Sequence, residues 1–340
     1  MKKGKWQYFI TVIAVAATVS SAVLLLLGRN VYVKRENLLL AYEKTQVPGI
    51  VCYGDSLTEG ACGDGVTFPN VLKDRLEEKR IYIPVVNMGI GGENSNTIAA
   101  RAGGTPFQVM NFTIPESTER VEVEFIKEEG KPIRLLEKGS AGINPCVIYG
   151  VEGTLSCEIE EGVKTTYYFS RNQEGKRVEV PEGSELETWA SKNYNDYIFV
   201  VFIGANKGYN SPEDLIVQQR SILELQKKHA GKYIIIGLPT GTREENVELE
   251  RAMQEAYGDK YINLREYMST QAIYDAGIKP TEEDLARMEE GRVPSSLLED
   301  HIHFKAKGYE LIGNLVYERM EELGYFTELE DIVGEYGGIW

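Results

Sequence analysis

The chain has 340 residues, 42% of them hydrophobic and 26% charged. That composition folds rather than staying disordered, and the length suffices for one large domain or two ordinary ones. A formal net charge of −15 argues against a nucleic-acid partner, because gripping a phosphate backbone takes clustered Lys and Arg; an acidic surface of this kind serves solubility.

Residues 6–28 carry no charge, and as a helix they would span roughly 30–35 Å, enough to cross a bilayer core. Lys2, Lys3 and Lys5 precede them, as in a signal sequence. The run is long for a signal, however, and Leu24–Leu27 offer no small-residue cleavage site. The expectation is an uncleaved membrane anchor over 1–28, with a cleaved signal as the alternative. Arg29, Lys34 and Arg35 nearly balance the leading lysines, so charge does not fix the orientation. With no second hydrophobic span in the sequence, the expected arrangement is a single anchor, a polar linker over 29–48, and an extracytoplasmic catalytic domain.

An apolar run, Ile50-Val51-Cys52-Tyr53, reads as a short buried strand (49–53). A helix follows, with Phe68, Leu72 and Leu76 on one stripe. Residues 81–86 predict a second strand that leads into Asn87-Met88-Gly89-Ile90-Gly91-Gly92. Residues 197–203 and 232–238 predict the third and fourth strands. The helix between them has Ser211 as its cap, Pro212 as its first residue, Asp214 completing a capping box and Gly231 as its stop. Residues 243–257 predict another helix, 261–264 a fifth strand, and 304–323 a last helix with Ile312, Val316, Met320 and Leu323 on one face. Buried strands alternating with amphipathic helices predict an α/β fold, a parallel sheet covered on both sides.

Residues 101–195 break that rhythm. Val121-Glu122-Val123-Glu124-Phe125 alternates, and Gly130, Gly162 and Gly175 mark turns, a pattern of antiparallel strands. The expected organisation is a discontinuous α/β domain over 49–100 and 196–325, an inserted β domain over 101–195, and a tail over 326–340. Of the cysteines, Cys52 falls in an apolar strand and reads as a buried thiol. In an exported protein Cys62, Cys146 and Cys157 could form disulfides, and Cys146 and Cys157 flank a Gly-rich turn across which they could meet. No CxxC or His/Cys spacing suggests structural zinc.

In open parallel α/β sheets the carboxyl ends of the strands converge on the ligand crevice. Ser56 follows the first strand, Gly92 the second and Asn206 the third, while Asp300-His301-Ile302-His303 precedes the final helix. The chain has three histidines, and His229 stands at a helix end. An imidazole that activates a serine must therefore be His301 or His303. Ser56 suits a nucleophile, one of these histidines a base, and Asp300 the group that orients it. Gly92 lets a backbone N–H approach a substrate oxygen, and the Asn206 amide adds a donor. Each residue also has a structural reading: Gly-Asp-Ser as a turn, Asn206 bonding its own loop, Asp300 capping the final helix, or His301 and His303 as a metal-binding pair. Their coincidence at strand ends favours catalysis.

These blocks resemble the SGNH, or GDSL, family of serine esterases and lipases: "GDSLTEG" (54–60), "NMGIGG" (87–92), "GAN" (204–206) and "DHIH" (300–303), in the family's order. The resemblance implies a flavodoxin-like three-layer α/β/α core and an acyl-serine mechanism that needs no metal or cofactor. Position by position it implies Ser56 as nucleophile, His303 as base and Asp300 as its support. The oxyanion hole it implies comprises the Ser56 and Gly92 N–H groups and the Asn206 side chain, with His301 unassigned. Lys207 stands where many members have Asp, which puts local hydrogen bonding and substrate preference in question. The expected function is a carboxylic ester hydrolase, as an exported carbohydrate O-acyl esterase that removes acetyl or other short acyl groups from a glycan. A lysophospholipase or thioesterase is the nearest alternative. A carbohydrate-binding protein with a vestigial site is the alternative of another class.

Overall fold

A computed structural model describes residues 21, 23–33, 36, 49–160, 164–227 and 231–336. Most of the expected anchor and linker, and His229, lie outside the described residues. Among those described, no helix is long and apolar enough to cross a membrane. The chain divides into two units. The smaller comprises 1–47, 77–82 and 326–340, and the larger 48–76 and 83–325. The smaller contains the helix Thr327–Tyr336; the larger holds the three sheets and is described below.

Five parallel strands form the main sheet, in the order Tyr261–Ile262, Tyr233–Ile236, Ile198–Phe202, Ile50–Gly54, Val85–Gly89. Ile50–Gly54 and its neighbour Ile198–Phe202 are buried at every residue. A strand covered on both faces must be apolar throughout rather than alternating. The second strand begins at Val85, later than the expected 81–86. Pro84 immediately before it has no N–H to give a ladder, and its carbonyl instead accepts from Ile50 N at 2.8 Å. The consequence is positional. Gly54 pairs with Gly89, so the two strands end level, and the Ser56 and Gly91-Gly92 segments leave the sheet side by side. Gly89 itself admits the next turn: a Cβ there would lie 2.1 Å from Glu59 N.

The helices Phe68–Glu78 and Ala306–Glu322 bury the stripes that periodicity marks, except for Leu323, which caps the second and is half-buried, and the helix Arg243–Tyr257 stands at its expected bounds. The helix Pro212–Leu223 differs. Ser211 Oγ does accept from Asp214 N, but Asp214 completes no capping box; its carboxylate accepts from Asn210 N at 2.9 Å and pairs with Lys131 at 3.0 Å. This helix also stops at Leu223, well short of Gly231. The chain turns there so that Gln226 Nε2 can donate to the carbonyls of Tyr197 and Lys232, at 2.9 and 2.8 Å. Those bonds satisfy buried backbone that a longer helix would leave unpaired.

Between the second and third parallel strands lie a six-stranded antiparallel sheet, ordered Gln108–Val109, Ser184–Glu187, Cys146–Ile148, Val151–Glu160, Lys164–Arg171, Val121–Val123, and a two-stranded pair, Phe112–Ile114 with Val178–Val180. These elements bury their own apolar cluster, centred on Val109, Leu155 and Phe169. The Cys146–Cys157 juxtaposition does not form. Cys146 stands opposite Gly153 and Cys157 opposite Tyr167, and all four cysteines are free thiols.

A helix that periodicity did not signal, Ser95–Ala102, is buried along its whole length, so it shows no polar face to read. Its Arg101 is fully enclosed and pairs with Glu93, which is 1% exposed. Arg101 Nε and Nη2 reach Glu93 Oε2 at 2.9 and 2.7 Å, and Nη2 also donates to the Met88 carbonyl at 2.8 Å. Thr188 Oγ1 donates to the Arg101 carbonyl at 2.6 Å. Removing one member of such a pair leaves a buried charge uncompensated, at a typical loss of about 3–5 kcal/mol. Urea denaturation of Arg101→Met should show a loss of that size, and adding Glu93→Gln should restore part of it.

Candidate active site

The strand Ile50–Gly54 ends at its glycine, and the chain passes at once into the single-turn helix Ser56–Glu59. Asp55 is its cap, with Oδ1 accepting from Leu57 N at 3.0 Å. Ser56 is thereby held at the lip of the sheet, its Oγ 2.8 Å from His303 Nε2. His303 Nδ1 lies 2.7 Å from Asp300 Oδ2. The loop carrying these two residues is closed by Glu299 N on the His303 carbonyl and Lys305 N on the Leu297 carbonyl, at 2.9 and 3.0 Å.

Asp300 does not cap the final helix, whose cap is Lys305 without a side-chain bond. Its Oδ1 accepts from the Ile302 and His303 N–H groups at 2.8 and 2.7 Å. Burial opposes ionisation of Asp300. The bonds from the His303 backbone and ring and from Ile302 outweigh it and hold the carboxyl well below its usual range. An ionised Asp300 accepts a hydrogen bond from Nδ1–H, which leaves Nε2 as the acceptor facing the Ser56 hydroxyl. His301 takes no part in this run; it lines a separate cavity of about 240 Å³ with Thr240, Arg287 and Arg292.

Gly92 has φ +79°, a left-handed conformation that glycine adopts freely. Neither its N–H nor that of Ser56 donates to another described group. A Cβ at the neighbouring Gly91 would lie 3.6 Å from Ser56 Cβ, which sets the two segments in contact. Asn206 Nδ2 donates to the Glu93 carbonyl at 3.1 Å, so the amide ties to the Gly92 segment rather than to its own loop. Lys207 is exposed, with its ammonium 6.0 Å from the Tyr209 ring centre. Its carbonyl accepts from Ser95 N at 2.8 Å.

The antiparallel elements reach this site. A Cβ on Gly92 would meet Lys138 Cγ at 3.6 Å, and one on Gly139 would meet Ile90 Cγ2 at 3.1 Å. The Pro132 carbonyl accepts from Asn94 Nδ2 and Asn96 Nδ2 at 3.0 and 3.2 Å. Sequence reasoning missed Glu93, Arg101 and Lys138. Only the adjacency of Glu93 to the Gly-Gly pair was available as a signal.

Asp55 lies beneath Ser56, 1% exposed, and its Oδ2 has no hydrogen-bond partner among the described residues. Burial pushes its carboxyl up to about 7, opposed by the Leu57 N–H and the nearby His303. The folded protein therefore keeps this proton over a range in which the unfolded chain, with Asp near about 3.9, has lost it. The stability that protonated Asp55 contributes is complete below about pH 4 and is lost as pH rises through about 7. Asp55→Asn cannot ionise. Denaturation midpoints should show wild type losing ground to this variant from about pH 4 to about pH 7. A difference that does not change with pH would show that Asp55 is not the titrating group.

Comparison with known families agrees with this arrangement. The profile of the GDSL-like lipase/acylhydrolase family matches residues 50–316. The chain belongs to this family. The GDSL-like hydrolase fold accounts for the five-stranded parallel sheet, and the enzyme class is that of SGNH-type hydrolases. Among curated proteins no sequence matches. A solved structure titled "Peptidoglycan O-acetylesterase in action, 5 min" is 12% identical with a TM-score of 0.34, covering 85% of this chain and 95% of that one. A likeness at that level does not bear on the substrate of this GDSL-like hydrolase.

Proposed function

We propose that this ester hydrolase works through an acyl-serine intermediate formed on Ser56, and that it is an exported carbohydrate O-acetyl esterase. The observation that carries the mechanism is the unbroken run Asp300–His303–Ser56, with bonds of 2.7 and 2.8 Å. In this reading Ser56 Oγ attacks the ester carbonyl while His303 Nε2 takes its proton. Asp300 keeps the ring oriented and stabilises the imidazolium. The oxyanion is met by the uncommitted Ser56 and Gly92 N–H groups and by the second amide hydrogen of Asn206. His303 then gives its proton to the departing alcohol, and water repeats the sequence on the acyl-enzyme. No step calls for a metal or cofactor.

An intact hydrogen-bonded run at the lip of the sheet argues against a binding protein with a vestigial site. The substrate proposal is drawn from the range of the family and from the proposed export; a cavity of about 660 Å³ among the antiparallel strands has a mixed lining, Glu124, Glu137, Thr165 and Thr166 beside Val123, Phe125 and Ile133. Export and a single N-terminal anchor are proposed from the uncharged run 6–28.

Ser56→Ala should fold normally, lose reaction with a fluorophosphonate probe, and hydrolyse esters slower by several orders of magnitude. Normal turnover by this variant would refute the mechanism. Asn206→Ala should lower kcat by roughly a hundred- to a thousandfold, with less effect on KM, since full negative charge meets the amide only in the transition state. Rates on acetylated glycans compared with long-chain acyl esters decide the substrate class; preference for the long chains would reject the glycan reading.

A further inference from the structure

Cys62 sits one turn beyond Ser56 and has no part in the steps above. It is exposed and free, yet its position is closely determined. Its backbone is left-handed at φ 64°, unusual for a residue with a side chain. The turn around it is fixed by Ala61 N on the Ser56 carbonyl at 3.0 Å and Gly63 N on the Gly60 carbonyl at 3.1 Å. Tyr309, wholly buried in the last helix, donates its hydroxyl to the Ala61 carbonyl at 2.7 Å. This framework brings a thiol to the two residues at the far end of the catalytic run. Donor atoms of Cys62, Asp300 and His303 all lie within 4.8 Å of one another.

We propose that Cys62, Asp300 and His303 form an inhibitory site for a thiophilic divalent cation of the zinc class. The donor set is one sulfur, one imidazole nitrogen and one carboxylate oxygen, the combination that zinc takes and that magnesium or calcium does not favour. Ligand bonds of about 2.0–2.3 Å place two donors of a tetrahedral ion roughly 3.3–3.8 Å apart. Rotation of exposed side chains by about an ångström closes the observed spread to that value. Cys62 has a single side-chain torsion to turn, and both it and Asp300 face solvent, so the ion needs no opening of the fold to arrive.

On binding, the Cys62 thiol releases its proton to solvent and the thiolate donates an electron pair to the ion. Asp300 and His303 each contribute a lone pair, and water fills the open position. Whichever ring nitrogen the ion takes, one of the two bonds made by His303 is lost. If the ion takes Nε2, the base can no longer accept the Ser56 proton; if it takes Nδ1, the proton there moves by way of solvent to Nε2, so that the ring is no longer held by Asp300 and Nε2 no longer accepts from Ser56. The ion thus silences turnover while leaving the oxyanion donors in place. That it silences turnover rests on the mechanism proposed above; that it binds does not.

The test uses the full chain and two readouts. Titration with Co²⁺ should produce the thiolate-to-cobalt absorption band, and Zn²⁺ should displace it. Zn²⁺ should also inhibit hydrolysis of a small acetyl ester, with chelator restoring the rate. In Cys62→Ser, and in Cys62→Ala as a second variant, the band should be absent. The Zn²⁺ concentration for half-inhibition, normalised to each variant's own metal-free rate, should rise at least about tenfold, as loss of even an outer partner of a metal ligand can do. No band in the wild type, a band that survives both substitutions, or equal inhibition of all three proteins would overturn the site. A band without inhibition would keep the cation site and overturn the assignment of turnover to Asp300 and His303.

Discussion

Arg101 lies where two parallel strands of the main sheet end, enclosed on every side, and its guanidinium joins Glu93 to the Met88 carbonyl. A guanidinium cannot shed its charge, so its burial is tolerable only with a carboxylate and carbonyls arranged around it. That requirement fixes the path of the chain from Met88 through Glu93 to the buried helix. Gly91 and Gly92 lie on that path, and the Glu93 carbonyl holds Asn206. The antiparallel elements join the same arrangement through Thr188 on the Arg101 carbonyl. The buried charge at the strand ends therefore sets the geometry of the Gly91-Gly92 segment beside Ser56.

The other half of the site is built differently. Asp300 and His303 lie on a short loop whose backbone bonds close it upon itself, and Asp300 spends one oxygen on that loop and the other on the imidazole. One carboxylate thus acts as both a structural brace and the ring's orienting partner. Both roles favour its ionised form, which is why hydrogen bonding prevails over burial there. Asp55, by contrast, is deeply buried with one bonded oxygen, and burial prevails. The two carboxyl groups flank the same serine–histidine pair with opposite charge preferences because Asp300 accepts from two backbone N–H groups and the imidazole, whereas the more deeply buried Asp55 accepts from Leu57 N alone.

Legibility in the sequence followed the range over which each feature is determined. The apolar run before Gly54, the capped helix Arg243–Tyr257 and the alternation of Val121–Val123 are local consequences of burial and side-chain period, and they stand where the sequence places them. The ends of the helix Pro212–Leu223 do not, because Asp214 serves Asn210 and Lys131, and Gln226 serves two carbonyls of the sheet. Such long-range satisfaction of polar groups leaves no periodic trace. The helix Ser95–Ala102 was illegible for a related reason: a segment buried all round has no amphipathic pattern.

By itself the sequence determined a parallel α/β sheet interrupted by antiparallel strands, and it placed Ser56, Gly92, Asn206, Asp300 and His303 next to strand ends or before the last helix. Those features follow from hydrophobic period and from short motifs whose residues are neighbours in the chain. The tertiary structure brings to Ser56 the histidine that the resemblance implies, His303 rather than His301, and it alone decided that Lys138 approaches Gly92 and that Cys62 stands beside Asp300 and His303. Each of these depends on where two distant segments cross, and that is set by the packing of the strand ends around buried charge and the tethering of loops by residues such as Tyr309, which no local pattern encodes.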